Sequence, residues 1–397
     1  MAGPLQGFRV LDMSRVLAGP WAGQLLADLG AEVIKIERPG IGDDTRHWGP
    51  PYAKDANGEE LEDAAYFYCA NRGKKSVCVD ITTAEGQKII RQLARDSDVL
   101  IENYKVGGLA KYELDYDSLK TVNPKLVYCS ITGFGQTGPY AHRPGYDFLI
   151  QGMGGLMSIT GEPDESDSQT GGPVKVGVAV TDIFTGLYAA NAIQGALLER
   201  QKSGVGQHID LALLDVQAAV LANQATNYLV GDMIPQRLGN AHPNIVPYQA
   251  FPTADSHIII TIGNDQQFAQ FCQVLGQPEL ANSENYATNS ARVNNRSVLC
   301  NKISDCLKNE TSEHWLTCLE ENNIPCGPIN NIDQVFDNPQ IVARDMLIEM
   351  TNSQGVKVKL PGNPIKYSRS KIDYETMPEN LGASTVDILS RHDKESY

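Results

Sequence analysis

One carboxylate, Asp182, stands where the stretch K-V-G-V-A-V-T-D-I-F-T-G-L-Y-A-A-N-A-I-Q-G-A-L-L-E-R changes character. Before it, Val176 to Val180 form a β-branched run; after it, small and apolar residues fall at the spacing of a buried helix. A carboxylate in the first turn of such a helix lies beside unpaired backbone N–H groups and the positive end of the helix dipole, which keeps it ionised. Two readings stay open on these residues alone: an N-cap, for which Asp is a preferred type, or a nucleophile that already carries its charge. Other polar groups close apolar runs: Arg38 after A-E-V-I-K-I-E, Asn103 and Tyr104 after D-V-L-I-E, and Gly133 to Gly135 after K-L-V-Y-C-S-I-T. Lys74 and Lys75 read either as a solvated turn or, with Arg38 and Arg46, as a cationic mouth for a phosphorylated ligand.

The elements that must position these groups alternate. F-R-V-L-D (Phe8 to Asp12) reads as a strand, and Pro20 fits the first position of a helix that stops at Gly30. A second strand ends at Glu37. This strand, helix and strand resemble a dinucleotide-binding unit, but the glycine fingerprint is missing: only Gly19 and Gly23 stand in the turn region, and Pro20 removes an amide donor. The unit is therefore read as βαβ with a ligand other than a nicotinamide. A helix over Thr83 to Asp96, the strand at D-V-L-I-E, the helix Y-D-S-L-K-T-V-N and the strand ending in G-F-G continue the alternation. Such an order implies an α/β fold with a parallel sheet covered on both faces and its ligand beyond the carboxyl ends of the strands. The acidic run E-P-D-E-S-D-S-Q-T-G-G-P is an expected exposed loop. Composition shifts near Gly231, within an expected smaller lobe from about Gln224 to Asn323 that holds the strand H-I-I-I-T-I-G, and the chain ends in expected strands V-K-V-K-L and P-I-K-Y-S.

With 397 residues, 42% of them hydrophobic, the chain can build a large core and more than one lobe. A formal net charge of −15 argues against nucleic-acid partners, which need clustered Lys and Arg, yet leaves room for a local basic pocket. No signal-like or bilayer-length apolar stretch is present in the sequence, so a cytoplasmic protein without a membrane partner is expected. The eight cysteines form no C-x-x-C and no His lies at a zinc-ligand spacing, so reduced thiols and no metal are expected.

Taken together, V-L-D-M-S-R-V-L-A-G-P, A-E-V-I-K-I-E-R-P-G-x-G-D-D-T-R, N-R-G-K-K-S, V-L-I-E-N-Y, G-F-G-Q-T-G-P, R-P-G-Y-D, A-V-T-D-I-F-T-G, N-A-H-P-N-I-V-P-Y-Q-A-F and I-P-C-G-P-I-N-N resemble the family III CoA-transferases, the CaiB/BaiF family, across nearly the whole chain. The resemblance implies a Rossmann-like large domain from both chain ends (1–223 and 324–397), an inserted small α+β domain (224–323) and an interlocked homodimer. It places the catalytic aspartate on Asp182 and coenzyme A contacts on Val16, Leu17, Arg38, Val79, Asp80, Asn103, Tyr104, Lys111, Arg143 and Tyr146. An acyl-CoA thioester and a free carboxylic acid are the implied substrates, with no tightly bound cofactor.

The implied chemistry needs no general base, because every nucleophile in it is an anion; it needs donors for developing oxyanions. Gly154, Gly155 and the G-N-A-H turn with Gly239 are candidates, and Arg46, Arg72 or His242 could hold an acceptor's distal carboxylate. Racemases related to this family carry His where Tyr146 stands, and a phenol of pKa about 10 is a poor carbon-acid base. Formyl-CoA transferases carry Gln where this chain has Leu17. The segments G-D-D-T-R, A-H-P-N-I-V-P-Y-Q-A-F and P-I-N-N are most similar to the branch that moves CoA from succinyl-CoA to glutarate or a related dicarboxylate. A 2-methylacyl-CoA racemase and a non-catalytic acyl-CoA binder are the alternatives.

Overall fold

The structure, a computed structural model, describes residues 2–55, 57–164, 171–352 and 355–394; the core of the expected acidic loop, 165–170, lies outside them. The chain divides into two compact units, one of Met1–Leu156, Val176–Ala222 and Pro339–Tyr397, the other of Met157–Lys175 and Asn223–Asn338.

The larger unit is built on β1 (Arg9–Asp12), α1 (Ala18–Asp28), β2 (Glu32–Glu37), β3 (Lys74–Cys78), α2 (Ala84–Arg95), β4 (Val99–Glu102), α3 (Tyr116–Val122), β5 (Val127–Thr132), α4 (Asp147–Met153), α5 (Val180–Ser203), β6 (His208–Ala212) and α6 (Leu213–Val220). These six strands form one parallel sheet, in the order β3-β2-β1-β4-β5-β6. The strand order reverses between β1 and β4, and in a doubly wound sheet the crevice at such a reversal is where a ligand enters. Alternation along the strands divides the core. Val10, Val99 and Ile101 pack with α1 and α5 on one face, while Leu11, Leu100 and Ile34 pack with α2 and α3 on the other.

α1 starts two residues earlier than the sequence suggests. Pro20 is its third residue, a position that still lies in the first turn, where no backbone donor is required. Gly30, at φ +95°, follows its C-cap as expected. α5 begins at Val180, and the described residues 176–179 do not form the expected strand; the Val176 N–H donates to the Gln151 side chain instead. Gly186 lets α5 approach α1 closely: a Cβ there would fall 2.7 Å from the Ala18 carbonyl oxygen. Asp182 lies one turn earlier on α5, so this backbone contact fixes the carboxylate's helix against the head of α1.

In the smaller unit β7 (Tyr248–Pro252), β8 (His257–Thr261) and β9 (Cys326–Pro328) form an antiparallel sheet with β8 in the centre. Phe251, Ile258 and Ile260 from this sheet pack with Phe268, Phe271, Leu299 and Leu319 from its helices. Back in the larger unit, β10 (Leu347–Thr351) and β11 (Lys357–Pro361) form a hairpin, and Thr385–Lys394 is helical. P-I-K-Y-S is not a strand. Asn363 accepts the Ile365 N–H and donates to Asp28, which turns the chain there instead.

Candidate active site

A cavity of about 720 Å³ opens at the carboxyl ends of the strands, spanning the β1/β4 reversal. Each crossover connection supplies part of its wall. The β1–α1 turn contributes Val16 and Leu17, the end of β2 Arg38, and the end of β3 Val79 and Asp80. Asn103 and Tyr104 follow β4, with Lys111 further on; Arg143 and Tyr146 follow β5; and α5 contributes Asp182. The fold therefore brings together in one cavity the eleven positions for catalysis and coenzyme A contact that the resemblance names. Phe134 and Gly135, at the end of β5, do not line it, whereas Gly133 does.

Asp182 is the third residue of α5 and not its cap; Ala179 occupies that position and offers no side-chain acceptor. The capping group comes from α4 instead. Asp147 Oδ1 accepts the Thr181 N–H at 2.8 Å and the Asp182 N–H at 3.3 Å. Gln151 orients this carboxylate, donating Nε2–H to Asp147 Oδ2 at 2.7 Å while its Oε1 accepts the Val176 N–H. Burial, then the facing Asp147 charge, push Asp182 up to about 7. The expected fully ionised carboxylate is thus corrected: at neutral pH it is poised between its two forms, because burial first, and then the second carboxylate at the helix's positive end, penalise its charge.

The cavity is cationic at several points. Arg38 and Lys111 are exposed, and Arg143 is exposed with its guanidinium over the Phe134 and Tyr140 rings at 5.2 and 4.6 Å. Lys35 also lines it but is held by Asp43 at 2.8 Å. Asn103 clasps the β1–α1 turn: its Oδ1 accepts the Arg15 N–H at 2.9 Å and its Nδ2 donates to the Arg15 carbonyl at 2.7 Å.

Several expected ligands are engaged elsewhere. Arg46 is 2% exposed; it forks onto both Glu37 oxygens at 2.7 and 2.8 Å, bonds Asp63 and stacks on Phe67, so it has no face for a substrate carboxylate. Arg72 forks onto Asp28 in the same way. Lys74 and Lys75 form neither a turn nor a cationic mouth, because β3 starts at Lys74; Lys74 is buried against Asp12, and Lys75 pairs with Glu32. The glycine amides are also spent: Gly154 N–H donates to Ile150, Gly155 to Gly152 and Gly239 to Gly161. Gly154 serves close packing, since a Cβ would fall 2.3 Å from Gln217 Cγ. His242 and Gly239 belong to the smaller unit. There Asn244 N–H donates to His242 Nδ1, which leaves the ring proton on Nε2, and burial, with Arg296 nearby, lowers the ring's pKa.

The sequence reading missed the capping role of Asp147, although the lack of a capping residue before Val180 is a sign that the cap must come from elsewhere. It also missed the grip on the β1–α1 turn, whose only local sign is G-D-D-T-R itself. Among the described residues no cluster of His, Cys, Asp or Glu could hold a metal ion, no helix is long and apolar enough to cross a membrane, and the eight cysteines are free thiols, none of them exposed.

Residues 5–385 match the profile of CoA-transferase family III. The chain is 52% identical over 387 residues to the succinate–glutarate CoA-transferase of Agrobacterium fabrum, covering 98% of this chain and 95% of that one. It is 45% identical to the human succinyl-CoA:glutarate CoA-transferase, covering 97% and 85%. The crystal structure of a CaiB/BaiF family protein from Brucella suis superposes with a TM-score of 0.86 at 50% identity, over 99% of this chain and 100% of that one.

Proposed function

Because the chain belongs to CoA-transferase family III, we propose that it moves coenzyme A from succinyl-CoA to glutarate through a thioester on Asp182. The observation that carries this reading is the position of Asp182 in one cavity with Arg38, Asn103, Tyr104 and Lys111 at the carboxyl ends of a parallel sheet. Relatives at 52% and 45% identity whose names pair succinate or succinyl-CoA with glutarate support the choice of substrates.

The Asp182 carboxylate attacks the thioester carbon of succinyl-CoA, and the C–S bond breaks to leave a mixed anhydride and the coenzyme A thiolate. The thiolate attacks the aspartyl carbonyl of that anhydride, succinate departs, and aspartyl-CoA forms. Glutarate then attacks the aspartyl thioester and displaces the thiolate, which attacks the glutaryl carbonyl and releases Asp182 as a carboxylate. No net proton moves. Each acylated state of Asp182 is uncharged, so the neighbouring Asp147 charge disfavours the resting carboxylate relative to the covalent states. Arg38, Lys111 and Arg143 are suited to the phosphates.

The reading includes a homodimer, in keeping with apolar side chains that one copy leaves open to solvent: Phe148 on α4 is 59% exposed and Leu187 and Tyr188 on α5 are each 44% exposed. It also includes a cytoplasmic enzyme acting on soluble thioesters with no resident cofactor.

The test is incubation with succinyl-CoA and a panel of carboxylic acids, read by mass spectrometry. Glutaryl-CoA as the fastest-formed product is the expected result. Exchange of the α-proton of a 2-methylacyl-CoA for deuterium without transfer would favour the racemase, and binding without either product would favour the non-catalytic relative.

A further inference from the structure

The turn between β1 and α1 contains a residue in a conformation its side chain disfavours. Val16 has φ +71°, in the left-handed region, where a β-branched residue is a true outlier. It also lines the cavity, next to Leu17 and Ala18. Backbone strain of this kind persists only where the surroundings over-determine it, and here three successive residues are held by three different elements. Lys35 on β2 donates Nζ–H to the Ser14 carbonyl at 3.0 Å. Asn103 after β4 clasps both backbone groups of Arg15. Asp43 takes the Val16 N–H on both carboxylate oxygens at 3.3 Å.

Asp43 is the joint of this arrangement. Its side chain is fully buried, and its Oδ2 accepts Lys35 Nζ at 2.8 Å. Its Oδ1 accepts the Thr45 N–H and hydroxyl, and its own N–H donates to Glu37 Oε2, the carboxylate on which Arg46 forks. Burial opposes its charge, yet Lys35 and Thr45 hold it at about 2. The carboxylate is therefore anchored before it reaches the turn, and its remaining acceptor capacity goes to Val16.

We infer that Asp43 is a positioning residue for the acyl-CoA site: through the Val16 N–H it holds the β1–α1 turn in its left-handed form, so that the wall made by Val16, Leu17 and Ala18 is shaped before the thioester arrives. Asp43 bears no role in the chemical steps. A preformed wall contributes equally to substrate and transition state, so its loss appears in KM and leaves kcat nearly unchanged. The inference rests on reading this cavity as the acyl-CoA site.

The test is a double-mutant cycle on the full-length protein with Asp43→Asn and Val16→Gly. Glycine adopts φ +71° without an external hold, so the two changes are coupled if Asp43 acts through that angle. Asp43→Asn alone is expected to raise KM for succinyl-CoA roughly tenfold with kcat within about twofold, and in the Val16→Gly background to raise it less than about twofold. Effects on KM that multiply independently, or a fall in kcat at unchanged KM, would overturn the proposal. Where Asp43→Asn leaves the buried Lys35 unpaired and the protein fails to fold, Lys35→Met is added to both arms and the same comparison is made. Calorimetric binding of coenzyme A to the wild type separates the two readings: no binding removes the cavity assignment and this inference with it, while binding with uncoupled variants removes the inference alone.

Discussion

Asp147 and Asp182 sit on different helices, yet an oxygen of the first accepts the backbone N–H of the second at 3.3 Å. The helix of the proposed nucleophile is thus capped by a carboxylate that, after burial, also raises the pKa of Asp182. On the proposed mechanism this arrangement exchanges readiness for driving force: fewer Asp182 side chains are ionised at neutral pH, and each ionised one would gain more when acylated.

Burial and Asp147 raise Asp182 from 3.8 to about 7, so kcat/KM of the wild type falls as pH drops through about 7. Asp147→Asn removes the charge while keeping an acceptor for the Thr181 N–H, and the acid limb moves to lower pH. The same shift makes the protein's stability depend on pH. The folded protein holds this proton more tightly than the unfolded chain, so its contribution is present at low pH and lost between 3.8 and about 7. The Tm of wild type relative to Asp147→Asn should therefore fall over that interval, as differential scanning calorimetry across pH would record; a pH-independent difference would count against the pairing.

Arg46 is predicted to hold the fold and not the acceptor acid. Arg46→Lys keeps the charge but loses the fork onto Glu37, and urea unfolding should show a loss of about 2 kcal/mol. The KM for glutarate should stay within about twofold of wild type. An acceptor KM raised more than about tenfold at unchanged stability would return Arg46 to the substrate site.

Arg38 and Lys111 are predicted to contact the phosphates of coenzyme A from an exposed position. Arg38→Ala should raise KM for succinyl-CoA about tenfold, the cost of one charge-assisted contact, and leave the KM for glutarate unaltered. Salt should weaken wild-type binding more than that of the variant, since fewer ion contacts remain to screen. Isothermal titration at two ionic strengths measures both effects.

Leu17, 5% exposed and on the same wall as Val16, is predicted to tune acceptor choice. Leu17→Gln adds a donor and an acceptor where glutarate's methylene chain is expected to pass, so the acid profile should move toward smaller, more polar acids such as oxalate. An unchanged ranking in the acid panel would remove Leu17 from specificity.

Much of this site is legible in the sequence because a parallel sheet places its strand ends together: Arg38, Asn103 and Tyr104 stand directly after apolar runs, and each lines the cavity. What depends on distant pairing is not legible. Arg46 and Arg72 look like free cations until their partners Glu37 and Asp28 are brought against them by β2 and α1. Gly154 looks like part of a flexible turn until Gln217 of α6 packs where its side chain would stand. Asp182 looks like a capping residue until Asp147, 35 positions earlier, takes that role. In each case the local pattern gives the residue type, and the tertiary partner decides the role.

The central claim is tested most directly by quenching the protein with succinyl-CoA in the absence of acceptor and mapping the covalent product by mass spectrometry. Coenzyme A attached to the peptide containing Asp182, released on addition of glutarate as glutaryl-CoA and absent in Asp182→Ala, is the predicted result. Turnover with no adduct on that peptide, or undiminished turnover by Asp182→Ala, would contradict it.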